Sequence, residues 1–260
     1  MKKVISSVIL SIVFVLGLLL SGCSAAIISK EVGPNTAKTY DNTGFSRIEI
    51  GDAFELEVTA TDTYSIQIEA SEGILDRIKV TQNGDKLEIG MDNPFFHTYR
   101  SPRVKITMPE LKGLYLSGAS EGNVSGFKSA TNFELTLSGA SELDMNMETG
   151  AFISEISGAS EVSGYLKATS GNMDLSGASS IDLNGSGGDI RLEASGASDL
   201  NLANFTVNNA DIKFSGASDG SLDVYGILDA DLGGSSTLEY SGNPTLGNIE
   251  ITGGSEIERR

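Results

Sequence analysis

Acidic side chains recur directly after a tetrapeptide that this sequence repeats. Ser-Gly-Ala-Ser occurs six times, with its glycines at Gly118, Gly139, Gly158, Gly177, Gly196 and Gly216, and degenerate copies follow at Gly234 and Gly253. The next residue is acidic at Glu121, Glu142, Glu161, Asp199, Asp219 and Glu256, whereas Ser180 and Thr237 occupy the other two places. Stacked carboxylates could hold divalent cations or form a solvated acidic edge. The nonapeptide of calcium-binding β-rolls is absent, which favours the solvated edge.

The residues available for catalysis are few. His97 is the only histidine, so a site with several histidine ligands is excluded. No nucleophile elbow, phosphate-binding loop or paired-cysteine metal motif occurs. The 21 acids between residues 113 and 260 offer no distinctive pair for glycoside hydrolysis. We therefore expect a non-catalytic protein without cofactor or metal site, with a carbohydrate-active enzyme as the less favoured alternative.

One cluster of aromatic and basic residues interrupts the repetitive pattern. Between Asn93 and Pro102 the sequence places Phe95, Phe96, His97, Tyr99 and Arg100. Binding residues are often carried by long loops, and aromatic residues with arginine suit recognition. This segment is therefore either a binding loop or an apolar cover for an open end of the fold.

The first 22 residues have the pattern of a secretory leader. Lys2-Lys3 precedes an apolar run from Val4 to Leu20, and Leu20-Ser21-Gly22-Cys23 resembles the lipobox of bacterial lipoproteins. Cys23, the only cysteine, would then carry the lipid that attaches the protein to the membrane. An uncleaved anchor is the alternative, although 17 residues is short for a span. Both interpretations place the remaining chain outside the cytoplasmic membrane.

Residues beyond the leader are expected to form an all-β fold. Residues 23–40 are polar and predict a tether, whereas residues 41–112 alternate apolar and polar side chains as half-buried strands do. Asn83-Gly84 predicts a hairpin turn in this N-terminal β region, which would cap the repeats. Residues 113–260 repeat every 19–20 residues, as expected for a single-stranded, right-handed parallel β-helix. Eight coils stacked about 4.8 Å apart would extend roughly 38 Å.

The motif itself is suited to a corner between strands. Glycine permits a backbone turn that a side chain would obstruct, and serine can both donate and accept hydrogen bonds. Because the glycine interrupts the alternation, the sequence does not determine whether the second serine faces inward or outward.

Charge and the last repeat limit the possible partners. The net charge is −17, and residues 113–260 contain 21 acids and 6 bases. Such a surface repels nucleic acid, anionic lipid and polyuronates, which leaves a glycan or a surface protein as the expected ligand. Solenoids need polar caps, yet only Glu256-Ile257-Glu258-Arg259-Arg260 follows the last motif. A second copy bound end to end, or this charged tail alone, could cover the last coil.

The sequence also resembles a known family. The opening strands from Phe45 to Val58, the bridge from Ile106 to Leu111 and the run into Leu116-Ser117-Gly118-Ala119-Ser120 resemble the auto-transporter adhesin family with a head GIN domain, over about residues 40–257. The resemblance implies a secreted or lipid-anchored bacterial β-solenoid that binds surfaces. We therefore expect a lipid-anchored, extracytoplasmic binding or adhesion module of the cell envelope. The alternative from another class is a structural envelope protein that self-associates.

Overall fold

The computed structural model describes residues 34–92 and 101–260, nearly all of which lie in or between β-strands. The leader, Cys23 and the aromatic segment from Phe95 to Arg100 lie outside the described residues. The only helix in the described part of the chain is α1 (Glu72–Leu75). The predicted all-β fold is confirmed.

Two sheets contain the strands. In spatial order, sheet A contains β1 (Asn35–Tyr40), β4 (Ser65–Ser71), β7 (Arg103–Met108), β3 (Glu55–Ala60), β9 (Glu121–Lys128), β11 (Glu142–Glu148), β13 (Glu161–Lys167), β15 (Ser180–Ser186), β17 (Asp199–Val207), β19 (Asp219–Val224), β21 (Thr237–Gly242) and β23 (Glu256–Arg259). Sheet B contains β22 (Thr245–Ile251), β20 (Ile227–Leu232), β18 (Ala210–Phe214), β16 (Asp189–Ala194), β14 (Ser170–Leu175), β12 (Ala151–Ile156), β10 (Phe133–Leu137), β8 (Gly113–Leu116), β2 (Arg47–Ile50), β6 (Lys86–Met91) and β5 (Ile78–Asn83).

From β8 to β23 the chain alternates between the sheets, and each pair of strands makes one coil. Successive coils pair in parallel, with about 19 residues per coil and about eight turns, as the repeat predicts. Alternate side chains of both sheets point inward and form one continuous apolar core. Phe133 and Phe152, for example, lie in adjacent coils with their rings stacked at a centroid distance of 6.1 Å.

The N-terminal β region adds coils to the stack as well as covering its end. Strands β2 and β3 pair in parallel with β8 and β9, and β6 and β7 pair in parallel with the other edges of β2 and β3. The end is covered by β4 and β5, which pair antiparallel to β7 and β6, and by α1. The predicted hairpin turn at Asn83-Gly84 joins β5 to β6, with Gly84 at φ +64°.

The predicted tether is shorter at its C-terminal end than its sequence indicates. Residues 35–40 form β1, which pairs antiparallel with all of β4, from Asn35 opposite Ser71 to Tyr40 opposite Ile66. The first five residues of β1 are exposed on both faces, so no apolar alternation marks the strand. Backbone hydrogen bonds to β4 hold it in place. Pro34–Arg260 is accordingly one compact unit.

Within residues 34–92 and 101–260, no helix is long and apolar enough to cross a bilayer.

Candidate functional site

Ser-Gly-Ala-Ser forms the corner at which the chain passes from sheet B to sheet A. The motif glycine has a positive φ in every copy, for example +81° at Gly177. A β-carbon on Gly177 would lie 2.5 Å from the carbonyl oxygen of Gly158, one coil earlier. That carbonyl accepts a hydrogen bond from the N–H of Ala178, at an N···O distance of 2.8 Å. Glycine is therefore required both for the turn and for the close approach of adjacent coils.

The second serine of the motif faces inward, which answers the question that the sequence leaves open. The second serine is buried in all copies: Ser120, Ser141, Ser160, Ser179, Ser198, Ser218, Ser236 and Ser255. The Ser160 hydroxyl donates to the carbonyl of Ser157 at 2.9 Å and accepts from the N–H of Ser141 at 3.4 Å. These serines join adjacent coils and are not available to a ligand.

The acidic residues after the motif stack on the outer surface of sheet A, which we call face A. The register pairs Glu121 with Glu142, Glu142 with Glu161, and Asp199 with Asp219. Together they form the acidic column, consisting of Glu55, Glu121, Glu142, Glu161, Ser180, Asp199, Asp219, Thr237 and Glu256. The structure thus brings all six predicted residues into one row, with their carboxylates exposed to solvent.

A second row of polar side chains runs beside the acidic column. We call this row the amide–hydroxyl column, although two of its members are aspartates. It consists of Asn123, Asp144, Ser163, Asp182, Asn201 and Ser221. The amide of Asn123 donates to Asp144 at 3.1 Å, and the amide of Asn201 donates to Asp182 at the same distance. The column therefore presents an ordered series of donors and acceptors at the spacing of the coils.

Two open recesses lie on face A, towards its opposite ends. The first, of about 340 Å³, is lined by Glu55, Arg103, Glu121, Asn123 and Asp144, among others. The second, of about 550 Å³, is lined by residues from the same two columns and by Arg260. Arg103 pairs with Glu55 at 2.8 Å, and Arg260 pairs with Glu239. Each recess therefore combines carboxylate and amide or hydroxyl groups with one guanidinium group.

One member of the acidic column, Asp199, has a raised pKa. Burial, followed by the nearby charges of Asp219 and Asp182, raises the pKa of Asp199 above its ordinary value. In residues 34–92 and 101–260, no group of three or more histidine, cysteine or acidic side chains has an arrangement that could hold a metal ion. The carboxylates of face A are arranged in a row along the register of sheet A.

An exposed aromatic residue on face A was not singled out by sequence reasoning. Tyr165 is 43% exposed, and its register partners in the adjacent coils are Asn146 and Asn184. The signal in the sequence was its place in β13, four residues after Glu161 and therefore on the same face of the strand. The aromatic segment that was predicted, Phe95 to Arg100, lies outside the described residues.

Comparisons with known proteins agree on the fold. A crystal structure of a putative adhesin from Parabacteroides merdae has a TM-score of 0.82 and 16% identity, covering 88% of this chain and 97% of that one. A putative lipid binding protein from Parabacteroides distasonis has a TM-score of 0.80 and 15% identity, with the same two coverages. At these identities the likeness shows a shared β-solenoid. No curated protein matches the chain.

The family comparison covers most of the solenoid. Residues 44–244 match the family model described as "Putative auto-transporter adhesin, head GIN domain", which spans β2 to β21 and every full copy of the motif. The chain belongs to this adhesin family.

Proposed function

We propose that this protein is a non-catalytic adhesion module that binds a surface glycan along face A. The observation that carries the proposal is the in-register pairing of sheet A, which sets the acidic and amide–hydroxyl columns side by side over many coils. An extended ligand with a repeating chemical unit can contact such a surface at several equivalent positions. Each contact can be weak, because several of them engage together.

The chemistry of face A favours a sugar chain over other extended ligands. Sugar hydroxyls both donate and accept, and the amide–hydroxyl column supplies amides, hydroxyls and carboxylates as partners. Tyr165 adds an aromatic ring between two asparagines, on which the apolar face of a sugar ring could rest. Because the acidic column repels anions, the glycan is uncharged or cationic and not a polyuronate.

The absence of catalysis is part of the proposal. The recesses of face A are open to solvent, and their carboxylates stand in a row and not in an enclosed cavity that could exclude water from a reacting substrate. The family description and the names of the two structural relatives refer to adhesion or lipid binding and to no reaction.

The proposed location is the outer surface of the cytoplasmic membrane or beyond it. The lipobox-like Leu20-Ser21-Gly22-Cys23 supports cleavage before Cys23 and attachment of lipid to that residue. An adhesin family supports a surface or extracytoplasmic setting. Mass spectrometry of the mature N-terminus would identify the processing site and the lipid.

The glycan proposal can be tested with two tyrosines that differ in position. Tyr165 lies on face A, whereas Tyr225, which is 59% exposed, lies at the corner between β19 and β20. On a glycan array we expect the unmodified protein to bind a defined set of glycans. Tyr165→Ser should weaken that binding by about tenfold or more, as loss of an aromatic contact does. Tyr225→Ser should bind as the unmodified protein does.

Two results would count against the proposal. The first is an array with no bound glycan, because face A has no other role in the proposed function. The second is an equal loss of binding for Tyr165→Ser and Tyr225→Ser, because this would place the ligand away from face A. Thermal melting of both variants verifies that neither substitution unfolds the solenoid.

A further inference from the structure

The two ends of the solenoid are finished differently. At the end formed by the N-terminal segments, β4 and β5 pair antiparallel with the outermost coil, and Ile74 and Leu75 of α1 are buried against the core. At the opposite end, β22 and β23 have strand partners on one side only, within residues 34–92 and 101–260.

The last coil exposes apolar side chains that continue the rows of the core. Leu246 lies in register with Leu228, and Ile251 lies in register with Leu232. Leu228 and Leu232 are fully buried, whereas Leu246 is 50% exposed and Ile251 is 43% exposed. These positions face inward, and no strand within residues 34–92 and 101–260 covers them. In this part of the chain, the last coil therefore leaves a cross-section of the core exposed.

The backbone of the last coil is also unpaired on its outer edge. Outward-facing residues donate to the preceding coil, as Thr252 does to Leu232 at 2.8 Å and Glu256 does to Ser236 at 2.9 Å. Amide direction alternates along a strand, so the N–H and C=O groups of inward-facing residues such as Ile251 and Ile257 point to the open edge. Sheets with exposed apolar edges of this kind pair readily with other strands.

We propose that this last coil is an interface for the last coil of a second copy of the chain. A two-fold axis in the plane of the coil would bring the two open ends together with their facing strands antiparallel. The same surface on each copy then covers both sheet edges and the exposed leucine and isoleucine side chains. Because the other end is covered by α1, the contact closes at two copies and does not continue into a fibre.

The charges of the last strand fit this arrangement. Arg259 and Arg260 are two of only 6 bases between residues 113 and 260, and they lie beside Glu256 and Glu258. The last strand is therefore nearly neutral, although the region as a whole contains 21 acids. Two strongly acidic solenoids can approach each other at this end with less repulsion than along face A.

The interface would be small. The seven residues of β22 extend about 23 Å, and two packed sheets with their side chains are roughly 20 Å thick. Contact over this cross-section buries on the order of 900 Å² in total, which is below the roughly 1,000 Å² of a stable specific interface and typical of weak, transient contacts. We therefore expect a reversible dimer that forms with increasing concentration. This inference is independent of glycan binding by face A.

Sedimentation velocity from low-micromolar to near-millimolar protein tests the proposal. The expected result is a shift from monomer to dimer with no larger species. Ile251→Lys places a charge in the open cross-section and should remain monomeric at all concentrations. Leu246→Ser, a milder change at the other end of β22, should weaken the dimer. Ile153→Lys is the matched control, because Ile153 is 39% exposed but faces outward in the middle of sheet B, and it should dimerise normally.

Three outcomes would overturn the proposal. One is an unmodified protein that stays monomeric at the highest concentration. Another is an Ile251→Lys variant that folds, as judged by circular dichroism, and dimerises as well as the unmodified protein. The third is assembly beyond two copies, because a closed two-fold contact leaves no further surface of the same kind. If Ile251→Lys fails to fold, Leu246→Ser takes its place. Dimerisation of Leu246→Ser as strong as that of the unmodified protein would then overturn the proposal.

Discussion

Buried serines in this solenoid differ in whether the hydroxyl has a partner. Ser160, in a corner, donates to the Ser157 carbonyl and accepts from the Ser141 N–H. Ser154 also faces the core, but its hydroxyl makes no hydrogen bond. A buried hydroxyl without a partner destabilises the folded state by its desolvation, whereas a paired one stabilises it. The same residue type therefore has opposite effects at two positions six residues apart.

Substitution of each serine by alanine measures this difference. We expect Ser160→Ala to lower the free energy of unfolding by about 1–2 kcal/mol, because the N–H of Ser141 and the carbonyl of Ser157 lose a partner. Ser154→Ala should raise it by about 1 kcal/mol, because only an unpaired hydroxyl is removed. Equilibrium unfolding in denaturant gives both values. Changes of the same sign would contradict the hydrogen-bond assignment.

Sequence patterns predicted some of these positions and left others open. The register of the acidic column follows from the repeat length, because equal steps bring Glu142 and Glu161 to equivalent places in adjacent coils. The direction of Ser160 does not follow, because the positive φ of Gly158 breaks the two-residue alternation between strand and corner. The place of Tyr165 on face A does follow from the sequence, because Tyr165 is four positions after Glu161 in the same strand and alternate residues of a strand share a face.

At the scale of elements, stacking depends on the backbone contact between motif glycines. We expect Gly177→Ala to lower the free energy of unfolding by at least about 2 kcal/mol. Alanine at this position would have to adopt the positive φ of Gly177, which is unfavourable for a residue with a β-carbon. Its β-carbon would also crowd the Gly158 carbonyl, which accepts a hydrogen bond from the N–H of Ala178. Gly73→Ala in α1 is the control, because no atom lies within 4 Å of a β-carbon there and φ is not positive. This control should be neutral or slightly stabilising.

Denaturant unfolding of the two glycine variants provides the comparison. Similar stabilities for Gly177→Ala and Gly73→Ala would show that the corner can shift to admit a side chain. The close approach of adjacent coils would then not be the reason for the glycine.

The order of the first coils could not be predicted from local patterns. Alternation identified β2, β3, β6 and β7 as strands, but each of them pairs with residues far away in the chain. Strands β2 and β3 form one coil, β6 and β7 pair with one side of it, and β8 and β9, which come later in the chain, pair with its other side. Such an order depends on how whole strands fit together, whereas the later coils follow the simple rule that each pairs with the next.

At the scale of the whole molecule, excess negative charge opposes folding of the stack. Part of this repulsion acts on Asp199, whose pKa is raised first by burial and then by the charges of Asp219 and Asp182. Glu134 reports the opposite situation, because its hydrogen bond with Arg47, at 2.5 Å, lowers its pKa. Most carboxylates of residues 113–260 have no basic residue to pair with, since 21 acids share 6 bases. Repulsion should therefore dominate the effect of ionic strength on stability.

We expect the melting temperature to rise as salt increases from 0.01 M to 0.15 M, because the Debye length falls from about 30 Å to about 8 Å.

At low salt and neutral pH, Asp199→Asn should melt above the unmodified protein and Glu134→Gln below it. The raised pKa of Asp199 means that its cost grows as pH rises above the ordinary pKa of an aspartate and is complete above the raised pKa. The lowered pKa of Glu134 means that its contribution is lost as pH falls through that lowered value. Both differences should therefore shrink with added salt and vanish at sufficiently low pH. Calorimetry at several salt concentrations and pH values measures the melting temperatures of all three proteins. If the melting temperature of the unmodified protein falls with added salt, its ion pairs outweigh the repulsion between its carboxylates.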